Sequence, residues 1–138
     1  KIINLSLGSA APSTLVRQVI QAHHNNGVLF IGAAGNAPVT SNEYPAAYPE
    51  VMAVTSIRPD GQLTDYANRG NFVDVAERGT QPVRFNNRTY STTGTSGSTA
   101  YISGMAAALA TKHGKKPHEI REMIIKNRPF VLPKKEGE

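Results

Sequence analysis

The sequence predicts an α/β fold, a parallel sheet flanked by helices in three α/β/α layers, and two observations carry that reading. Four apolar runs are continuous rather than alternating: "IINLSLG" at 2–8, "VLFIGAAG" at 28–35, "VMAVTSI" at 51–57 and "FVDVA" at 72–76. Continuous runs of this length suit strands buried on both faces. Between the first two lies "STLVRQVIQAHHNNG" (13–27), with Leu15, Val16, Val19, Ile20 and His23 at helical spacing, a Ser13 cap and a Gly27 stop. Strands apolar on both sides and joined through an amphipathic helix need helical cover above and below.

The remaining elements follow in order. "PVRFNNRTYST" (82–92) is polar and reads as a hairpin outside the main sheet, turning at Asn86 and Asn87, whose side chains tolerate positive φ. Residues 97–112 form a helix rich in Ala and Gly, and 116–127 a second one with Pro117 near its first turn. Residues 1–128 read as one domain and 129–138 as a basic tail. His23 is expected to be part-buried packing, with His24, His113 and His118 at the surface.

Composition narrows the function classes. The chain has 138 residues, 39% of them hydrophobic and 18% charged, enough for one packed core. Its formal charge of +5 sits mostly at one end: residues 1–111 carry 7 Lys/Arg against 6 Asp/Glu, and 112–138 carry 8 against 4. That basic end has no recognition motif or interleaved aromatic residues, so it reads as a solvated face and not as a nucleic-acid site. There is no cysteine, which excludes disulfides and thiolate chemistry. No segment is apolar over the length a membrane span requires. Lys1 leads directly into the first apolar run, without an initiator Met or signal peptide, so the chain is expected to begin mid-fold.

Two short stretches offer chemistry. Ser96, in "STTGTSGSTAYISGMAAALA" (91–110), lies where loop becomes helix. Unpaired N–H groups and the positive end of the helix dipole meet there. Ser96 is either a nucleophile or a small packing residue on this ground alone, because a serine hydroxyl needs a base to become nucleophilic. Asn36 in "IGAAGNA" is an amide at the C-terminal end of a predicted parallel strand, suited to an oxyanion hole but also to a Gly-Asn turn.

With these residues in view, "IINLSLG", "GVLFIGAAGN", "YPAAYPEVMAV", "YANRGNFVDVA" and "GTSGSTAYISGMAAAL" occur in the order and spacing of the subtilisin-like serine proteases, and the chain resembles the C-terminal part of a subtilase catalytic domain from residue 1 to about 127. The resemblance implies a partial subtilisin-like sheet, truncated at its N-terminal side, and a serine endopeptidase. Ser96 becomes the acyl-forming nucleophile and Asn36 its oxyanion-hole amide, with Thr95 beside them. Ser6, Leu7 and Gly8 become the edge that pairs with an extended substrate backbone, and Gly32, Ala33, Ala34 and Gly35 the wall of the pocket for the residue before the cleaved bond. Glu43 falls at a position that contributes to the base of that pocket, where a carboxylate favours Lys or Arg; the other reading, that Glu43 faces solvent, stays open. No cofactor is implied, though calcium on backbone carbonyls near Ala46, Tyr48 and Val51 is.

The likeness has departures. After the nucleophile the family usually has Met, Ala, Ser, Pro and His, and here stand Gly97, Ser98, Thr99, Ala100 and Tyr101. The family's catalytic Asp and His precede the strand matching "IINLSLG", and none of His23, His24, His113 or His118 falls at the catalytic position. The chain alone is therefore expected to be inactive, its partners being a polypeptide substrate and the missing N-terminal half, or a dimer partner, with neither nucleic acid nor membrane. A secreted or periplasmic location follows from the resemblance only. The competing class is a non-catalytic protein-interaction fragment. An α/β-hydrolase esterase fits poorly, because its nucleophile elbow needs Gly where Ser98 stands.

Overall fold

The computed structural model describes residues 1–130. In chain order the elements are β1 (Ile2–Leu5), α1 (Thr14–Asn25), β2 (Leu29–Ala33), β3 (Val51–Ile57), β4 (Val75–Arg78), β5 (Thr80–Phe85), β6 (Arg88–Thr93), α2 (Thr95–His113) and α3 (Pro117–Asn127). The first four strands form one parallel sheet in the order β1-β2-β3-β4, and β5 and β6 form a separate antiparallel pair.

Register decides which side chains meet. Phe30 sits opposite Val51 and Val54 opposite Val75, so alternate residues of each strand point to opposite faces. On one face Leu29, Ile31, Met52, Val54 and Val75 pack with Ile102 and Ala106 of α2 and Ile120 and Ile124 of α3. On the other, Phe30 and Val51 pack with Ile20 of α1 and with Tyr48. The result is the expected three-layer α/β/α arrangement.

Several expectations need correction. "IINLSLG" is not a buried strand: β1 is an edge strand, and Ile3 and Leu7 are exposed. In α1 only Ile20 is buried, while Leu15, Val16 and Val19 lie at the surface. His23 is exposed and His24 turns partly inward. The reason is rotational: Arg17 lies over the Tyr48 ring, 5.8 Å from its centre, and residues 17, 20 and 24 share one face of a helix. The fourth strand begins at Val75, later than "FVDVA" suggests. Before it, Asp74 bonds Ala53 twice, its N–H donating to the Ala53 carbonyl (3.0 Å) and its Oδ2 accepting the Ala53 N–H (2.9 Å). A side-chain oxygen there takes the role a ladder carbonyl would have.

Other elements fall where the residues place them. Asn86 and Asn87 hold φ of 47° and 59° at the hairpin turn, the positive pair that a tight two-residue loop requires. Pro117 opens α3, and Glu119 takes the Lys116 N–H at 2.9 Å and the Lys115 ammonium at 3.2 Å. The chain then runs beside β4, with the Phe130 N–H donating to the Asp74 carbonyl. Residues 131–138, most of the expected tail, lie outside the described residues.

Ile102 is fully buried between sheet and helix, so Ile102→Ala should cost about 2–5 kcal/mol; urea unfolding should show a lower midpoint at unchanged slope. The Glu119 carboxyl is held below its usual 4.5 by the Lys116 N–H first and by Lys115 second. A depressed folded-state value adds stability above the unfolded value that is lost as pH falls through the folded one. The thermal midpoint gap between wild type and Glu119→Gln should therefore close as pH drops below about 4.5.

Candidate active site

All four sheet strands point the same way, so their C-terminal ends open on one side, where α/β folds hold their sites. β2 runs out there through Ala34, Gly35 and Asn36. The N-terminus of α2 arrives at the same place because β6 delivers it through Gly94, whose N–H donates to the Gly79 carbonyl at 3.0 Å. Gly94 has φ 142°, ψ 167°, and a Cβ there would stand 3.2 Å from the Asn36 amide nitrogen. Only glycine meets both conditions without strain.

The two ends are locked together. Asn36 Oδ1 accepts the Thr95 N–H at 2.8 Å and the Thr95 hydroxyl at 3.0 Å, and Thr95 Oγ1 accepts the Gly35 N–H at 3.2 Å. With its oxygen engaged twice, the Asn36 side chain has Nδ2–H as its remaining donor. Ser96 follows at the second position of α2, and its N–H has no backbone acceptor among the described residues. First-turn N–H groups have no partner inside their own helix. Asn36 and Ser96 thus place a side-chain donor, a backbone donor and a hydroxyl around one cleft.

That cleft has a volume of about 210 Å³ and is lined by Ser6, Leu7, Gly8, Ala33, Gly35, Asn36, Glu43, Thr95 and Ser96. Nine of the eleven site residues expected from sequence therefore come together. Gly32 and Ala34 do not. A Cβ on Gly32 would press on Val51 and Ala46, and Ala34 is fully buried with its N–H on the Val54 carbonyl. Alternation along β2 turns both away from the cleft. Leu7 and Gly8 are exposed and make no backbone hydrogen bond among the described residues, which leaves an open edge for pairing.

A polar chain behind the cleft escaped sequence reasoning. Ser103 Oγ donates to Asn4 Oδ1 at 3.1 Å, Asn4 Nδ2 donates to Ser6 Oγ at 2.9 Å, and Ser6 Oγ donates to the Ser96 carbonyl at 3.4 Å. It ties β1 to the turn that carries Ser96. The signal available was two polar residues, Asn4 and Ser6, two places apart inside an otherwise apolar run. Ser98, where the family has Ala, is buried against Ser56 Oγ and the Glu77 and Arg78 carbonyls.

None of the four histidines lines the cleft. His23 and His24 close α1 at the other end of the sheet, and His113 ends α2, roughly 26 Å from Ser96 at 1.5 Å per residue. Among the described residues no group of three His, Asp or Glu side chains is placed to hold a metal, and no helix is long and apolar enough to cross a membrane.

Comparison with known proteins decides the family, because the Subtilase family matches residues 1–136. The chain belongs to the subtilases. Among relatives of this subtilase, thermitase from Thermoactinomyces vulgaris is 34% identical over 126 residues, covering 90% of the chain and 45% of thermitase. A thermostable alkaline protease from Halalkalibacterium halodurans is 33% identical over 133 residues, covering 94% of the chain and 37% of that protein. The chain thus spans less than half the length of either relative. Among solved structures, the prenylagaramide maturation protease PagA aligns with a TM-score of 0.79 at 30% identity, over 88% of this chain and 49% of that one.

Thr95→Val would remove the hydroxyl that donates to Asn36 Oδ1 and accepts the Gly35 N–H. A loss of about 1–3 kcal/mol is expected, because the part-buried Gly35 N–H is left without its acceptor. Chemical denaturation measures it.

Proposed function

We propose that this chain carries the nucleophile and oxyanion hole of a subtilisin-like serine endopeptidase. The triad Asp and His come from outside these 138 residues, on the remainder of the domain or on a partner chain. The observation that carries the reading is the lock on Asn36, which commits Oδ1 to Thr95 and leaves the amide N–H to the cleft beside Ser96.

In the proposed reaction the Ser96 hydroxyl attacks the scissile carbonyl carbon while the incoming histidine takes its proton. The tetrahedral oxyanion is held by Asn36 Nδ2–H and the Ser96 N–H at the positive end of α2. Collapse expels the amine, which takes the proton from the histidine, and water then hydrolyses the Ser96 ester by the same route. Leu7 and Gly8 hold the substrate by strand addition.

The other half of the domain, or a dimer partner, has a surface to cover. Ile3 and Leu7 at the open edge and Leu15, Val16 and Val19 on α1 are exposed apolar side chains, the kind that mark an interaction site when they are contiguous. The chemistry calls for no cofactor. Calcium on the carbonyls of Ala46, Tyr48 and Val51 would be structural, and the adjoining Glu50 has a buried, unpartnered Oε2 that suits a hard cation. Export to a secreted or periplasmic location belongs to the same proposal. The second reading, a non-catalytic interaction fragment, is favoured by one observation, that none of the four histidines lines the cleft.

A fluorophosphonate probe separates the two. Labelling of Ser96 in the protein with both domain halves, lost in Ser96→Ala, supports the peptidase; absence of label in a folded sample would support the fragment. Asn36→Leu should lower kcat roughly 100- to 1,000-fold with KM little changed, the range a subtilisin itself shows on losing this donor.

A further inference from the structure

Two departures from the family's usual residues fall in the turn that carries Ser96, and they fit each other. Gly97 stands where Met is usual, and a glycine leaves the backbone freer than any other residue does. The packing calls for it: a Cβ at 97 would stand 3.3 Å from the Gly79 carbonyl oxygen and 3.5 Å from Thr92 Cγ2. α2 therefore starts close against the bend between β4 and β5. Ser98 stands where Ala is usual, and this approach brings its hydroxyl to β3 and β4. Its Oγ lies 3.0 Å from the Glu77 carbonyl, 3.1 Å from the Arg78 carbonyl and 2.9 Å from Ser56 Oγ.

Proton count fixes the direction of those bonds. The two carbonyls can only accept and the Ser98 hydroxyl has one proton, so Ser98 donates to the carbonyls and Ser56 donates to Ser98. Both serines are fully buried. The bond thus joins the backbone of β4 to the residue two places after the nucleophile. The other ties on this turn act ahead of it: Asn36 holds the Thr95 N–H, Ser6 holds the Ser96 carbonyl at 3.4 Å, and Gly79 holds the Gly94 N–H. The Ser96 N–H lies between those ties and Ser98, so its aim depends on the turn being held on both sides of the flexible Gly97. Aim matters because a donor acts by being in place before charge develops, and a misplacement of 1 Å costs up to about 100-fold in rate.

We propose that Ser98 is a positioning residue for the reaction: its hydroxyl pegs the start of α2 to β4 and so aims the Ser96 N–H at the oxyanion, a task that the glycine at 97 leaves to it. The inference rests on the peptidase reading above. Its test uses the protein with both domain halves, a peptide substrate and the fluorophosphonate probe. Ser98→Ala should lower kcat about 10- to 100-fold with KM unchanged, and slow labelling of Ser96 to the same degree. Ser56→Ala removes a buried hydrogen bond from the same cluster but leaves Ser98 on its carbonyls, so it should lower the urea midpoint comparably and leave kcat as it was. Equal kcat in wild type and Ser98→Ala, or an equal fall in Ser98→Ala and Ser56→Ala, overturns the inference and leaves the peptidase standing. If Ser98→Ala does not fold, Ser98→Cys decides, since it fills the site with a weaker donor: kcat lowered at unchanged KM upholds the peg, and unchanged kcat overturns it. If the wild type cleaves no peptide and Ser96 takes no probe, the peptidase reading fails and the inference falls with it.

Discussion

β2 and β3 bury every side chain they carry except Ile57, so neither face of the sheet tolerates water and both must be covered. That requirement places α1 and Tyr48 on one side and α2 with α3 on the other. Parallel strands then share one open end, and the loop after β2 and the start of α2 are left there together. The position of the cleft is a consequence of how the core is covered.

Position alone does not make a reactive site. The Asn36 and Thr95 side chains bond each other and the Gly35 and Thr95 N–H groups, holding a strand end and a helix start in fixed relation. Such a network costs nothing in unsatisfied groups when complete, and it orients the one amide proton pair left over. The chain from Ser103 through Asn4 and Ser6 to the Ser96 carbonyl braces the same turn from β1. Chemistry at Ser96 would draw on donors already aimed, which is where electrostatic catalysis gains most.

Glycine works here by the space it vacates. Gly94 lets the backbone pass the Asn36 amide, and Gly8 leaves room for the Glu43 carboxylate. The open side of β1 and the bare apolar flank of α1 are left uncovered by the chain's own elements, and the first of them adjoins the cleft through Leu7.

Much of this was legible in the residues. Unbroken apolar runs determined two-sided burial and hence a layered sheet, the asparagine pair determined the hairpin turn, and the ordered stretches around Ser96 and Asn36 determined the family, because each depends on local pattern. Burial at the edges was not legible: "IINLSLG" and "VLFIGAAG" look alike as strings, yet one has a neighbour on each side and the other does not. The rotation of α1, which exposed His23 and turned His24 inward, depended on where Tyr48 stood. Glu43 was undecided in the sequence because a loop side chain's direction is set by what its backbone pairs with. Only the pairing of Tyr44 with Ser9, residues distant in the chain, turned that carboxylate toward Gly8 and into the cleft.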